Sequence, residues 1–416
     1  MKKYNLKDVF VPVGFPTVTY LQRIELEKAV TRAKMTQSRH ISIYGLSKSG
    51  KSNLWTKMYN DNERLKLGIN HNMTIADIYS EILDLLNAYY VSEKASSNEI
   101  NAGLFSELQM GIQKLLSVKV QSNANVGLSN SEKSLPFSKP VISSNTVLKF
   151  LKPSGKIIVF EDFHYANDEV IRNLAQDLKA FSDGGCQFVF VSVPSVTGKL
   201  LKENRELLGR ITDIEVKFFT DTELLEIMNK GLIALNIEFS DSLKNSIISE
   251  SNGSAAILQD ICQQICIESS IYITQKDKII ITDSEVFTNA CRAVAEGQKS
   301  LYQDIVDAVS LHEHGNNTTQ IYRWILRVIK TTSITDNGIS SAEVYRKMVE
   351  LGHTTIQRGS VTNGLKYMPQ ILDKKNLLPI FEIDDNGVFY VRDRYMMFVL
   401  KWIPEMVDSL FTPLTI

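Results

Sequence analysis

The sequence predicts an α/β chain: a three-layer domain on a parallel sheet, then a helical lid domain, then a winged-helix domain. Three observations predict it. A glycine-rich loop, Gly45-Leu46-Ser47-Lys48-Ser49-Gly50-Lys51-Ser52, stands between a strand-like and a helix-like segment. An apolar run, Ile157 to Phe160, closes on two acids, Glu161 and Asp162. After Thr220 the alternation of strands and helices gives way to amphipathic helices and a terminal hairpin.

The loop is a complete G-x-x-x-x-G-K-[ST] phosphate loop, the signature of a P-loop NTPase domain. His40 to Tyr44 alternates and is β-branched, as the strand before such a loop should be, and Ser52 to Met58 reads as the helix after it. A triphosphate brings several negative charges that must be met without crowding. Glycines let successive backbone N–H groups turn inward toward them. Gly45, Ser47, Lys48, Ser49, Gly50, Lys51, Ser52 and Asn53 form the expected phosphate-binding set. Lys51 is expected to reach the β- and γ-phosphates and Ser52 to ligate Mg²⁺, with the positive end of the helix aimed at the same anion.

The chain has 416 residues, enough for two or three domains, and its apolar content suffices for a full core. A formal net charge of −1 calls for neither nucleic acid nor an anionic membrane. Cys186, Cys262, Cys266 and Cys291 form no C-x-x-C pair, so buried thiols are expected rather than zinc ligands. His312 and His314 lack partnering cysteines and read as surface residues. With no signal peptide and no apolar run long enough to span a bilayer, a reducing cytoplasm is the expected compartment.

Residues 1 to 20 read as extended, and a helix begins at Leu21 with Leu26, Ala29 and Val30 on one face. Leu65 to Asn70 reads as a second strand, and Thr74 as the cap of a helix through Leu86. Residues 91 to 145, rich in Ser, Asn and Lys, read as an insertion with one helix, Leu104 to Leu116, and a flexible polar remainder. Lys156 to Asp162 is expected to be a strand buried on both faces, 168 to 182 a helix, Cys186 to Pro194 a strand and Ile211 to Phe219 another. Then come lid helices at Asp221–Leu235, Ser240–Ser249 and Ser254–Ser269. Further helices are expected at Gln303–Leu311, Thr319–Thr331, Ser341–Leu351 and Ser360–Leu372. A hairpin turning at Asp384 to Gly387 follows, and an apolar terminal stretch breaks near Pro404. The expected domains are 1–219, 220–298 and 299–416.

Glu161 and Asp162 sit where an open α/β sheet binds ligands, at the carboxyl end of a strand. Adjacent residues point in different directions, so one can face the metal shell and the other the attacking water. The residues leave open which does which.

These features together resemble the STAND branch of the AAA-like P-loop ATPases, whose relatives include origin-recognition and NACHT modules. Val159-Phe160-Glu161-Asp162-Phe163-His164 resembles the apolar-acid-acid-aromatic-His run of STAND regulators. Tyr20-Leu21-Gln22-Arg23-Ile24-Glu25 is similar to the family's leading motif near the adenine, with Gln22 where the family has glycine. The resemblance implies that Tyr20 and Arg23 lie near the base, and that Ser192 is the polar sensor near the γ-phosphate. It implies a phosphate- or neighbour-facing role for Arg210. It also puts Gly253 at the family's Gly-x-Pro nucleotide contact, here without the proline.

The resemblance implies an ATP- and Mg²⁺-dependent switch that hydrolyses slowly, with a role in bacterial defence or signalling. Its expected partners are ATP or ADP, a separately encoded effector or sensor protein, and further copies of itself. A second reading is a DNA-loading ATPase, whose candidate basics are Arg358, Lys366, Lys374 and Lys375. Residues 301–416 carry twelve Lys or Arg against thirteen Asp or Glu, which argues against a strong electrostatic footprint on DNA. No membrane partner is expected.

Overall fold

The computed structural model describes residues 2–36, 38–88, 90–91, 134–135, 142–193, 195–311, 320–332, 334, 337–384 and 386–411. The expected helix Leu104–Leu116, most of the insertion around it, and His312 and His314 lie outside the described residues. The chain forms two compact units, one of residues 23–45 and 54–216, the other of 1–22, 46–53 and 217–416.

The first unit is built on a parallel sheet. Helix α1 (Ile24–Met35) leads to β1 (His40–Tyr44), and α2 (Lys51–Met58) carries the chain on to β2 (Arg64–Gly68). Helices α3 (Ile75–Leu85) and α4 (Ser144–Ser154) precede β3 (Ile157–Glu161). Then come α5 (Asp168–Asp183), β4 (Phe188–Ser192), α6 (Thr197–Glu203) and β5 (Ile211–Glu215). The strand order is β2-β3-β4-β1-β5, every pair parallel. One face packs Ile41, Ile43, Val159, Val189 and Ile214 against Val30 of α1 and Leu54 and Trp55 of α2. The other packs Ile158, Phe160, Phe188 and Phe190 against α3, α4 and α5. Both faces are therefore apolar, which is why β3 and β4 read as unbroken apolar runs. Thr74 caps α3 in a full capping box with Asp77. The last strand is shorter than expected: pairing with β1 stops at Glu215, and Val216 donates once more to the Tyr44 carbonyl.

The second unit is mainly helical. A single turn, Leu6–Val9, interrupts the expected extended amino terminus. Thr220 begins α7 (Asp221–Leu235) with a capping box to Glu223. Helices α8 (Asp241–Ser251) and α9 (Ala255–Glu268) follow their serine caps. Two short strands, β6 (Ile237–Phe239) and β7 (Ile279–Ile281), pair in parallel and were not expected. Cys262, Cys266 and Cys291 are buried, and burial pushes the Cys266 thiol up to about 12.

Helix α10 corrects the expected boundary at 298/299. It runs unbroken from Ser284 to Ser310. Its buried residues, Ala290, Cys291, Ala295, Tyr302, Ile305 and Val309, recur at helical spacing, but the first of them are small and the signal is faint. The lid and the carboxyl-terminal third therefore share one element. Beyond it the order is α11 (Ile321–Thr331), β8 (Ile339–Ser340), α12 (Ser341–Glu350), α13 (Arg358–Lys374), β9 (Phe381–Ile383), β10 (Val388–Val391) and α14 (Arg394–Trp402). β8, β10 and β9 form an antiparallel sheet in that order. The chain breaks at Ile403–Pro404, and Phe398, Val399, Leu400, Ile403, Met406 and Val407 are core. One apolar cluster runs from Leu6 through α7–α10 to Val407.

Candidate functional site

The register of the sheet fixes half of the site. Tyr44, Glu161 and Ser192 are the final residues of β1, β3 and β4, and Ser192 lies beside Tyr44. Gly45, Glu161, Asp162 and Ser192 are thus gathered at one edge of the sheet. It is the carboxyl edge, where β1 leaves a neighbour on each side and the chain changes direction.

Glu161 is held on both oxygens. The indole Nε1 of Trp55 donates to Oε1 at 2.8 Å, and the Lys66 ammonium lies 2.6 Å from Oε2. Lys66 is on β2, which pairs with β3 so that Gly68 stands opposite Glu161. Period-two alternation puts Lys66 on the same face as Gly68, under the reach of the carboxylate. Asp162 adopts a left-handed conformation, φ 55°, and its side chain is exposed. That turn starts a short helical turn, Phe163–Tyr165, with Tyr165 N–H donating to the Asp162 carbonyl.

Arg210 requires a correction. It immediately precedes β5, whose Ile211 pairs with His40, the first residue of β1. It therefore sits at the amino edge of the sheet, about 16 Å of strand away from the end that carries Gly45. There it pairs with Asp183 at 2.7 Å. Within its own unit that placement separates Arg210 from Gly45, Glu161 and Ser192.

The loop residues 46–53 belong to the other unit. Gly50 has φ +95°, a conformation open to glycine, and a Cβ there would lie 3.3 Å from the Phe219 ring. Lys51 is nearly buried, and its ammonium donates to the Leu46 carbonyl at 2.7 Å. Ser49 N–H also points at that carbonyl, at 3.3 Å, while the Ser49 hydroxyl is fully buried with no hydrogen-bond partner. Ser47 and Asn53 are half-buried, and Lys48 and Ser52 are exposed. A glycine turn, a buried orphan hydroxyl and an ammonium resting on a backbone oxygen are the polar surplus that a phosphate would satisfy. The residues present fit a magnesium nucleotide.

Phe219 is a residue the sequence reading missed. Its ring lies beside Gly50, and its N–H donates to the Gly253 carbonyl at 3.0 Å. Gly253 itself has φ +78°, and a Cβ would come within 2.9 Å of Phe218. The adjacent aromatics Phe218 and Phe219 at the start of the lid were the available signal. Two acids of the same unit, Asp260 half-buried and Asp393 buried, feel the loop's charge: burial raises both, and their hydrogen bonds, with a smaller contribution from the Lys48 charge, oppose the rise. Asp260 accepts from the Tyr395 hydroxyl, and Asp393 from Tyr302 at 2.9 Å. Tyr20 stacks on Phe15, and its carbonyl accepts from Lys230 at 3.0 Å. Arg23, in the first unit, is half-buried at the start of α1.

Comparison with known proteins gives the fold. The chain is similar to the Walker-type ATPase PABY2304 of Pyrococcus abyssi, with 16% identity, 92% of this chain and 96% of that one covered, and a TM-score of 0.52. It also matches the ORC2 protein of Aeropyrum pernix in its ADPNP–ADP complexes, with 10% identity, 97% and 98% covered, and a TM-score of 0.46. A STAND protein with a tetratricopeptide repeat sensor, PH0952 of Pyrococcus horikoshii, matches at 13% identity, with 96% of this chain and 47% of that one covered and a TM-score of 0.37. No protein-family model matches, and no curated protein does. The parallel sheet, the loop after β1 and the first of these likenesses make this a P-loop ATPase fold. Among the described residues, no helix is long and apolar enough to cross a membrane.

Proposed function

We propose that the chain binds ATP with Mg²⁺ and hydrolyses it slowly, as a STAND- or origin-recognition-type switch. The observation that carries the reading is the phosphate loop with its buried, unpartnered Ser49 hydroxyl and its Lys51 ammonium resting on Leu46. In this reading the N–H groups of residues 47–53 take the phosphates, and Lys51 moves from its carbonyl to the β- and γ-oxygens. On the resemblance, Ser52 and Glu161 would hold the metal, and Mg²⁺ would supply positive charge against the developing charge of the phosphates. Asp162, exposed beside Glu161, is assigned to orient the attacking water, and Ser192 at the adjacent strand end to donate toward the γ-phosphate. Tyr20, Arg23 and Gly253 are assigned to the nucleotide on the resemblance.

The lid and the carboxyl-terminal elements respond to the nucleotide through Phe219 and through Asp260 and Asp393, which feel the Lys48 charge. The helices and three-stranded sheet of residues 321–391 are read as a winged helix for protein contact. A separately encoded effector or sensor, and further copies of the chain, are the partners this reading implies. The cytoplasm is the compartment proposed. Equilibrium binding of ATP to the purified chain with and without Mg²⁺, followed by measurement of phosphate release, tests the reading. Magnesium-dependent binding with slow turnover supports it; absence of both ends it.

A further inference from the structure

We propose that Trp55 is a positioning residue for Glu161: its indole N–H orients the strand acid against the helix that begins at Lys51. The inference rests on the functional reading above and adds a residue to it. Trp55 lies three positions after Ser52 on α2, so the two project from neighbouring points on one helical face. Only 3% of Trp55 is exposed, and it packs with Val159 of the same strand that ends in Glu161.

An indole has one donor and no acceptor, and a buried one requires a partner. Here the partner is Glu161 Oε1 at 2.8 Å. The other oxygen is taken by Lys66, so two bonds from two directions fix the plane of the carboxylate. The indole is itself held in place. The Arg64 guanidinium lies 4.6 Å from its ring centroid and the Lys66 ammonium 6.0 Å. Arg64 also donates to the Thr56 carbonyl at 3.2 Å, tying β2 to the same helix. A carboxylate anchored in this way is held in one orientation.

The ring of Trp55 serves the core, and its N–H serves Glu161. Trp55→Phe separates the two roles, because phenylalanine keeps a ring under Arg64 and removes the donor. The experiment uses the full chain. In Trp55→Phe we expect ATP binding without Mg²⁺ to be unchanged, kcat to fall about tenfold, and KM to stay within about twofold. The Mg²⁺ concentration for half-maximal turnover should rise about tenfold. A second measurement does not depend on turnover. With Trp324→Phe and Trp402→Phe, Trp55 is the sole tryptophan of the chain. Its emission should change when Mg²⁺ is added to the ATP-bound protein, and that response should be lost in Glu161→Ala.

A Trp55→Phe chain that matches the parent in kcat and Mg²⁺ requirement overturns the inference while leaving the ATPase reading standing. A parent chain that neither binds nor turns over ATP removes both. If Trp55→Phe does not fold, the emission experiment decides: a Trp55 signal indifferent to Mg²⁺ in an ATP-binding protein overturns the assignment.

Discussion

The Lys51 ammonium donates to the carbonyl of Leu46, five residues earlier, at 2.7 Å. The loop's cation is folded onto its own backbone, in a position that a phosphate oxygen, being charged, would win. Lys51→Ala is therefore expected to weaken MgATP binding about a hundredfold while leaving the fold intact. Titration with a fluorescent ATP analogue, alongside circular dichroism, checks both halves. Unchanged affinity would mean that the loop does not bind phosphate.

Arg210 pairs with Asp183 at the sheet edge remote from Gly45. Both side chains are partly exposed, so the pair contributes under about 1 kcal/mol. Arg210→Ala should leave turnover of the monomer within about twofold and shift the urea midpoint only slightly. A large loss of activity that appears only at high protein concentration would instead mark Arg210 as reaching a neighbouring copy.

His40 is buried between strands, donating from Nε2 to the Leu178 carbonyl at 2.9 Å and accepting at Nδ1 from Phe188 N–H at 3.2 Å. Burial pushes its pKa down from 6.5 to about 4. Between those values the unfolded chain binds the proton and the folded chain does not. The stabilisation is complete above about pH 6.5 and is lost progressively as pH falls toward 4, by about 3 kcal/mol. Urea unfolding of the parent and of His40→Gln between pH 4 and 7 should show that the substitution flattens the profile. Parallel profiles would refute the assignment.

Asp393 caps α14 by accepting from Tyr395 N–H at 2.9 Å, and it takes the Tyr302 hydroxyl of α10 as well. Asp393→Ala removes a cap and orphans a buried hydroxyl, so a loss of about 2–4 kcal/mol is expected. Tyr302→Phe should rescue part of that loss in the double variant, because it removes the orphan. Strict additivity in a double-mutant cycle would count against the coupling.

Much of this was legible in the residues because the signals were local. Strand β1, the loop and α2 follow one another in the order the motif demands. The cap Thr74 announced its helix. β3 announced its burial by lacking any polar residue before Glu161. What was hidden depends on partners distant in the chain. Trp55 reads as one more apolar helix residue until β3 brings Glu161 beneath it. For Arg210 the resemblance left a phosphate-facing and a neighbour-facing role open, because position along the chain does not say which edge of a parallel sheet a residue occupies. β6 and β7 are three residues each, too short to show a period. The first half of α10 buries alanine and cysteine, which carry little contrast against its polar neighbours.

Helix α10 spans 27 residues, about 40 Å end to end. A rod of that length, buried by lid side chains early and by Tyr302 and Ile305 late, admits no hinge near residue 298. Any displacement of the first half of α10 must carry the carboxyl-terminal elements with it, as an oar carries its blade. Cutting the gene between the two would leave each fragment with a stripe of raw interior and half a shaft.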